Sequence, residues 1–206
     1  MDIQTVIKAI PGVTEPQAEK LCRYYEMLMD WNSRMNLTAI TGEDEVLKKH
    51  FADSLLPLEL IPEGANLIDV GTGAGFPGLP LRILEPSIRL TLLDSLNKRI
   101  QFLETVCREL DLPDVACVHA RAEEFAAEHR ETFDLAVSRA VAALPVLCEL
   151  CLPLVKPGGK FLAMKSVESD AELAASQHAI AILGGAVEAV RDYAIPGTDV
   201  RHRLIV

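Results

Sequence analysis

Leu67-Ile68-Asp69-Val70-Gly71-Thr72-Gly73-Ala74-Gly75-Phe76-Pro77-Gly78 decides the fold. A short apolar run with the character of a buried strand enters a turn with glycine at every second position, and a helix-compatible segment follows. The alternating glycines remove Cβ atoms where a ligand approaches backbone. A strand, a glycine-rich turn and a helix in that order open a nucleotide-binding α/β unit.

Outward from that stretch, short apolar runs alternate with helical periodicity. Strands are expected at 66–70, 90–94, 115–119, 133–138 and 160–165, with helices at 77–84, 96–110, 121–129 and 144–155 between them. This alternation predicts a parallel sheet covered on both faces. A helix at 169–183 and strands at 187–194 and 201–206, split by Pro196-Gly197, complete a doubly wound, mostly parallel seven-stranded α/β fold with an antiparallel edge hairpin. Before it, Thr14 and Gln17 form a capping-box pattern for a helix over 14–35, and a second helix is expected over 43–60 with Thr41 as N-cap. The expected organisation is a helical cap over 1–62 on an α/β domain over 63–206.

Ligands of open α/β sheets sit outside the carboxyl ends of the strands. Those ends carry Gly71, Asp94, Arg121-Ala122-Glu123, Ser138-Arg139 and Lys165-Ser166. Asp94 follows the glycine turn at the spacing of a ribose-binding carboxylate. Gly73-x-Gly75-x-x-Gly78 formally fits a dinucleotide fingerprint, but Pro77 lacks the N–H that a pyrophosphate would use. Asp69, two residues before Gly71, suits a cationic ammonium better than a phosphate. S-adenosylmethionine has that ammonium, a ribose and an adenine, and no phosphate. Glu123 and the Ala122 N–H then face the adenine.

The chain has 206 residues, half of them hydrophobic, and a net charge of −10. The acidic excess is spread along the chain, which argues against generic charge-driven nucleic-acid binding and leaves room for a small local patch. No secretory signal or membrane-length apolar run is visible, and five cysteines suggest reduced thiols in a cytosol. Cys148-x-x-Cys151 has no second pair or nearby His, so packing rather than zinc is expected, and no metal is implied.

Five segments together resemble the bacterial RsmG (GidB) family. They are Trp31-Asn32-x-x-Met35-Asn36-Leu37-Thr38, His50-Phe51-x-Asp53-Ser54, Asp69 to Gly78, Arg121-Ala122-Glu123 and Ser138-Arg139-Ala140. The resemblance runs from about residue 20 to the end. It implies a class I, Rossmann-like methyltransferase that uses S-adenosyl-L-methionine to methylate N7 of a guanosine (guanosine 527) in 16S ribosomal RNA in the cytoplasm. It also implies cofactor contacts at Gly71, Phe76, Ala122, Glu123 and Arg139, to which the reading of the strand ends adds Asp69, Gly73, Gly75 and Asp94. Many relatives continue into a short basic tail, where this sequence reads Arg201-His202-Arg203-Leu204-Ile205-Val206.

Guanine N7 carries a lone pair and no proton, so its methylation needs alignment and no general base. No Asn/Asp-Pro-Pro-aromatic or Pro-Cys motif follows the fourth strand, as exocyclic-amine or C5 methylation would require. Arg139 and Lys165 are the candidates for positioning the substrate. Arg34, Lys48, Lys49, His50, Arg201 and Arg203 are the candidates for contacting RNA. The alternatives are a nicotinamide-dependent oxidoreductase, supported only by the formal glycine match, and a non-catalytic, cofactor-sensing RNA-binding factor.

Overall fold

The computed structural model describes all 206 residues. The apolar run at the opening of the glycine turn forms β1 (Asn66–Val70). It pairs in parallel with β2 (Arg89–Asp94) on one side and β4 (Phe133–Arg139) on the other. A strand with neighbours on both sides and helices on both faces excludes water throughout, hence its near-continuous apolar sequence. β3 (Val115–His119) and β5 (Val155–Ser166) extend the sheet, and β6 (Val190–Ala194) and β7 (Arg201–Ile205) close it in the order β3-β2-β1-β4-β5-β7-β6. The hairpin is present, but its second strand is the inner one. β7 lies antiparallel between β5 and β6, so β6 forms the edge. The order reverses between β1 and β4, which opens the ligand crevice there.

Alternation along the strands divides the core. Leu67, Leu92 and Val137 join a cluster of 35 buried residues, while Ile68, Leu93 and Ala136 join one of 16 on the opposite face. The larger cluster is covered by α4 (Gly78–Leu84), α5 (Asn97–Glu109) and the N-terminal helices. The smaller is covered by α6 (Ala122–Glu128), α7 (Leu144–Cys151) and α8 (Asp170–Ile182). Cys148 and Cys151 pack inside this second cluster as free thiols.

α2 (Glu15–Met35) starts at its capping box, where the Thr14 N–H donates to Gln17 Oε1 at 2.9 Å. Its buried face, including Leu21, Tyr24 and Leu28, enters the same cluster as Leu79 of α4 and Phe102 of α5. Three features depart from the sequence reading. First, α1 (Ile3–Ala9) precedes α2, capped by Asp2 Oδ1, which accepts from Thr5 N at 3.0 Å. Second, the helix expected over 43–60 is N-capped by Gly42 rather than Thr41. It runs as α3 (Glu43–Val46), widens into a π-helical turn over Leu47–Ala52 and breaks up before Pro57, which cannot continue it. Third, α7 ends at Cys151 in a short 3₁₀ turn containing Pro153, so β5 begins at Val155, earlier than expected.

Candidate active site

The glycine turn is tied down from below. Asp69, fully buried, accepts from Thr72 Oγ1 at 2.7 Å and from Gly78 N at 2.8 Å through the same oxygen, Oδ2. The turn is thereby stapled to the start of α4, and Gly78 supplies the N–H that Pro77 lacks. Burial pushes the Asp69 carboxyl up to about 6, against the two hydrogen bonds, which lower it. Asp69 lines neither cavity of the site, so it shapes the turn from within rather than facing a ligand ammonium.

From above, the Tyr24 hydroxyl of α2 donates to the Ala74 carbonyl. That grip leaves no room at Gly75. With φ at 101°, a Cβ there would stand 2.5 Å from Tyr24 Oη and 2.6 Å from Leu79 Cδ1. A Cβ at Gly71, φ 70°, would meet Val141 Cγ2 at 2.5 Å. Beside the turn, Asp94 at the end of β2 accepts from Gly73 N and Leu96 N, each at 2.9 Å, and pairs with Arg99 Nη1 at 3.2 Å. Its carboxylate is 3% exposed and borders a cavity of about 120 Å³ with Ala122 and Glu123, the first two residues of α6. Glu123 is solvent-exposed at its rim.

Gly71 also borders a larger cavity of about 550 Å³, which extends across the carboxyl edge to β7. Its central polar group is Arg139, at the end of β4. Nη1 donates to Asp53 Oδ2 at 2.6 Å and to the Lys49 carbonyl at 3.2 Å, and Nη2 lies 3.3 Å from His50 Nδ1. Asp53, without exposed surface, has its other oxygen 2.8 Å from His202 Nδ1. The π-helical turn brings Lys49 O, His50 and Asp53 to one guanidinium; such turns recur at functional sites. Ala140, in the left-handed region at φ 55°, turns the chain aside directly after Arg139. Phe76 stacks on both Tyr24 and His50, with centroids 5.4 and 4.5 Å apart, and the Arg139 guanidinium lies 5.4 Å from its ring.

Burial, reinforced by the Arg139 charge, lowers His50 to about 4, so its ring is neutral at neutral pH. An arginine only donates, which makes His50 Nδ1 the acceptor and leaves the hydrogen on Nε2, 2.8 Å from Thr38 Oγ1.

The structure thus gathers Gly71, Gly73, Phe76, Asp94, Ala122, Glu123, Arg139 and His50 around two adjoining cavities. Gly75 and Asp69 form the frame beneath. Lys165 belongs to the wall, but its ammonium is engaged by Glu172 at 2.8 Å and the Ala142 carbonyl at 2.9 Å, so it braces the loop after β4. Arg203 is not a surface cation. It is 8% exposed and ion-pairs with Asp170 and Asp192 at 2.5 and 2.6 Å, which locks β6, β7 and α8 together. Arg34 is exposed, paired with Asp30 and set 6.0 Å over the Trp31 ring. Lys48 and Lys49 pair with Asp44 and Glu45, at 2.8 and 2.6 Å, and Arg201 is exposed near the cavity mouth. Sequence reasoning missed Tyr24 and His202 as members of the site, and Arg99 as the partner of Asp94. No three His, Cys, Asp or Glu side chains gather as a metal site requires, and no helix is long and apolar enough to cross a membrane.

Comparison with known proteins agrees with this architecture. Among solved structures, a Haloferax volcanii putative methyltransferase, in complex with its Trm112 activator, matches 87% of this chain and 96% of its own with a TM-score of 0.62 at 17% identity. Aeropyrum pernix fibrillarin, solved with bound S-adenosyl-L-methionine, matches 73% of this chain and 67% of its own with a TM-score of 0.55 at 17% identity. These likenesses establish the fold. The sequence comparisons go further. Ribosomal RNA small subunit methyltransferase G of Alkaliphilus metalliredigens is 50% identical over 198 residues, spanning 94% of this chain and 83% of that protein. The protein of the same name from Pediococcus pentosaceus is 50% identical over 202 residues, with the same coverage. The model of the GidB family, rRNA small subunit methyltransferase G, matches residues 17–201. This chain belongs to that family of ribosomal RNA methyltransferases.

Proposed function

We propose that the chain transfers the methyl group of S-adenosylmethionine to N7 of one guanosine of 16S ribosomal RNA, guanosine 527 by family resemblance, in the cytoplasm. The observation that carries the reading is the pairing of the two cavities at the β1/β4 switch point. The smaller has a buried carboxylate and the N-terminus of α6. The larger has an arginine already neutralised by Asp53. The residues fit the cofactor. Asp94 offers acceptors to a ribose, the Ala122 N–H and Glu123 border the space for an adenine, and Gly71 and Gly73 present backbone without side chains. The buried Asp69 Oδ1 has no partner, yet it lies outside both cavities, so the turn backbone and Arg139 are the groups proposed for the methionine end. Residues 1–62 and 63–206 act as one unit in this reading, because Tyr24, His50 and Asp53 complete a site built on the sheet.

When bound, the cofactor supplies an electrophilic methyl group on a sulfonium. The protein's part is alignment. Phe76 and Ala140 line the larger cavity, and Arg139 is held rigid by three acceptors so that the nucleophile is presented in line. Neutral His50, bonded at both ring nitrogens, has no free base to offer, in keeping with a nucleophile that carries no proton. Lys48, Lys49, Arg34 and Arg201 are the proposed RNA contacts. The test uses labelled cofactor and small subunits from a strain lacking the modification. Label at guanine N7 is expected, whereas label on another atom, or cofactor binding without transfer, overturns the reading.

A further inference from the structure

β7 runs against the other strands, so its first residues arrive at the carboxyl edge, where His202 pairs with Ser166 of β5. Its Nδ1 lies 2.8 Å from Asp53 Oδ1, a carboxylate that accepts here, so Nδ1 carries the hydrogen. In the neutral ring Nε2 then holds a lone pair, and no protein atom is bonded to it. The side chain is 30% exposed and borders the same cavity as Gly71 and Gly73. Tyr193 supports the ring edge-on, with centroids 6.1 Å apart.

We propose that His202 Nε2 accepts a hydrogen bond from the Watson–Crick edge of the target guanine, with Asp53 setting the tautomer. The inference rests on the guanine-N7 reading above. Between β1 and β7 lie three strand spacings, ~14 Å, with β4 and β5 between them. A purine that turns N7 toward the glycine wall directs its N1–H and exocyclic amine toward the opposite wall, where His202 stands. Those groups are donors and need an acceptor. Arg139 and Lys165 only donate, and the other imidazole in the cavity, His50, has both nitrogens engaged. Nε2 of His202 is the free acceptor among these groups.

The contact also has a catalytic consequence. The N7 lone pair forms the new bond to carbon while the old bonding pair leaves with sulfur, so the purine gains the positive charge that sulfur loses. A cationic purine is the stronger donor through N1–H and its amine. The bond to His202 therefore tightens in the transition state more than in the bound ground state, and that difference raises kcat.

The experiment compares wild type, His202→Ala and His202→Gln in steady-state methylation of unmodified small subunits, with cofactor titration and thermal melting of the same preparations. In His202→Ala, kcat is expected to fall roughly 10–100-fold, with KM for the subunit and cofactor affinity within about threefold of wild type. His202→Gln retains an amide acceptor and is expected to recover most of that loss. Wild-type kcat in His202→Ala overturns the proposal. So does equal loss in both variants accompanied by weaker cofactor binding and a lower Tm, the signature of packing alone. Nucleoside analysis separates the two readings. A methyl group away from N7 defeats the guanine-N7 reading, whereas N7 product formed at full rate by His202→Ala defeats only the role of His202.

Discussion

The two walls of the site are built in different ways. The wall proposed to hold the cofactor is local. Asp69, Thr72, Gly73, Gly78 and Asp94 lie within one β-α-β stretch and bond mainly to one another. The opposite wall is assembled from afar. Arg139 meets Asp53 across 86 positions, and His202 meets Asp53 across 149. A cofactor bound in a similar way on many scaffolds is served by a compact, self-contained turn. On the proposed reading, a particular RNA meets side chains that only the whole fold brings together.

The largest expected effect strikes the assembled wall. Asp53→Ala leaves Arg139 buried without its countercharge and is expected to cost about 3–5 kcal/mol of stability, measured by urea unfolding. A loss below about 1 kcal/mol would show that Lys49 O and His50 alone satisfy the guanidinium. Next comes the local wall. Gly75→Ala forces a Cβ against Tyr24 and Leu79 at positive φ and should cost about 2–4 kcal/mol. The same unfolding assay on a Tyr24→Phe background should show part of that cost relieved.

Asp94→Ala is expected to weaken S-adenosylmethionine binding by about 1–3 kcal/mol, read by calorimetric titration. Unchanged affinity would place the ribose elsewhere.

The pH dependence separates the walls by sign. His50, on the assembled wall, has a folded value of about 4 against an ordinary 6.5. The unfolded chain binds more protons between them, so this contribution is present above 6.5 and lost as pH falls through 4. Asp69, on the local wall, is raised to about 6 from 3.8, so its contribution is present below 3.8 and lost as pH rises through 6. The stability difference between wild type and His50→Gln should therefore shift against wild type by about 2 kcal/mol between pH 7 and 4.5. A flat difference would mean that His50 is no more buried folded than unfolded. The smallest effect belongs to neither wall. Arg34→Ala, at an exposed ion pair, should change stability by less than about 0.5 kcal/mol, while reducing RNA affinity if this face meets the substrate in filter binding.

The same division explains what the sequence makes legible. β1 occupies the residues its apolar run predicts, because a strand buried on both faces is near-continuously apolar. Asp94 is legible because a strand end and a glycine turn fix its place locally. Asp69 is misread as facing a ligand because spacing does not reveal on which side of a turn a carboxylate points. Arg203 is misread as a surface cation because Asp170 and Asp192 reach it only through the fold. His202 escapes notice for a similar reason. Nothing near it in sequence announces that β7 inserts beside β5 and carries it to the carboxyl edge. α1 was within reach, since Ile3, Val6, Ile7 and Ile10 recur at helical spacing after a capping Asp2.

The inner position of β7 has a consequence in time. During synthesis, β1 to β4 and the glycine turn have all emerged while β7 is still unmade. The cofactor wall is then available in principle, but the acceptor at Asp53 waits for His202, and β6 has no strand to pair with. A chain interrupted before β7 thus possesses most of the groups proposed to hold the cofactor, and lacks one side of the wall proposed to face the substrate. Synthesis of β7 is the event that brings His202 to Asp53 and gives β6 its neighbour.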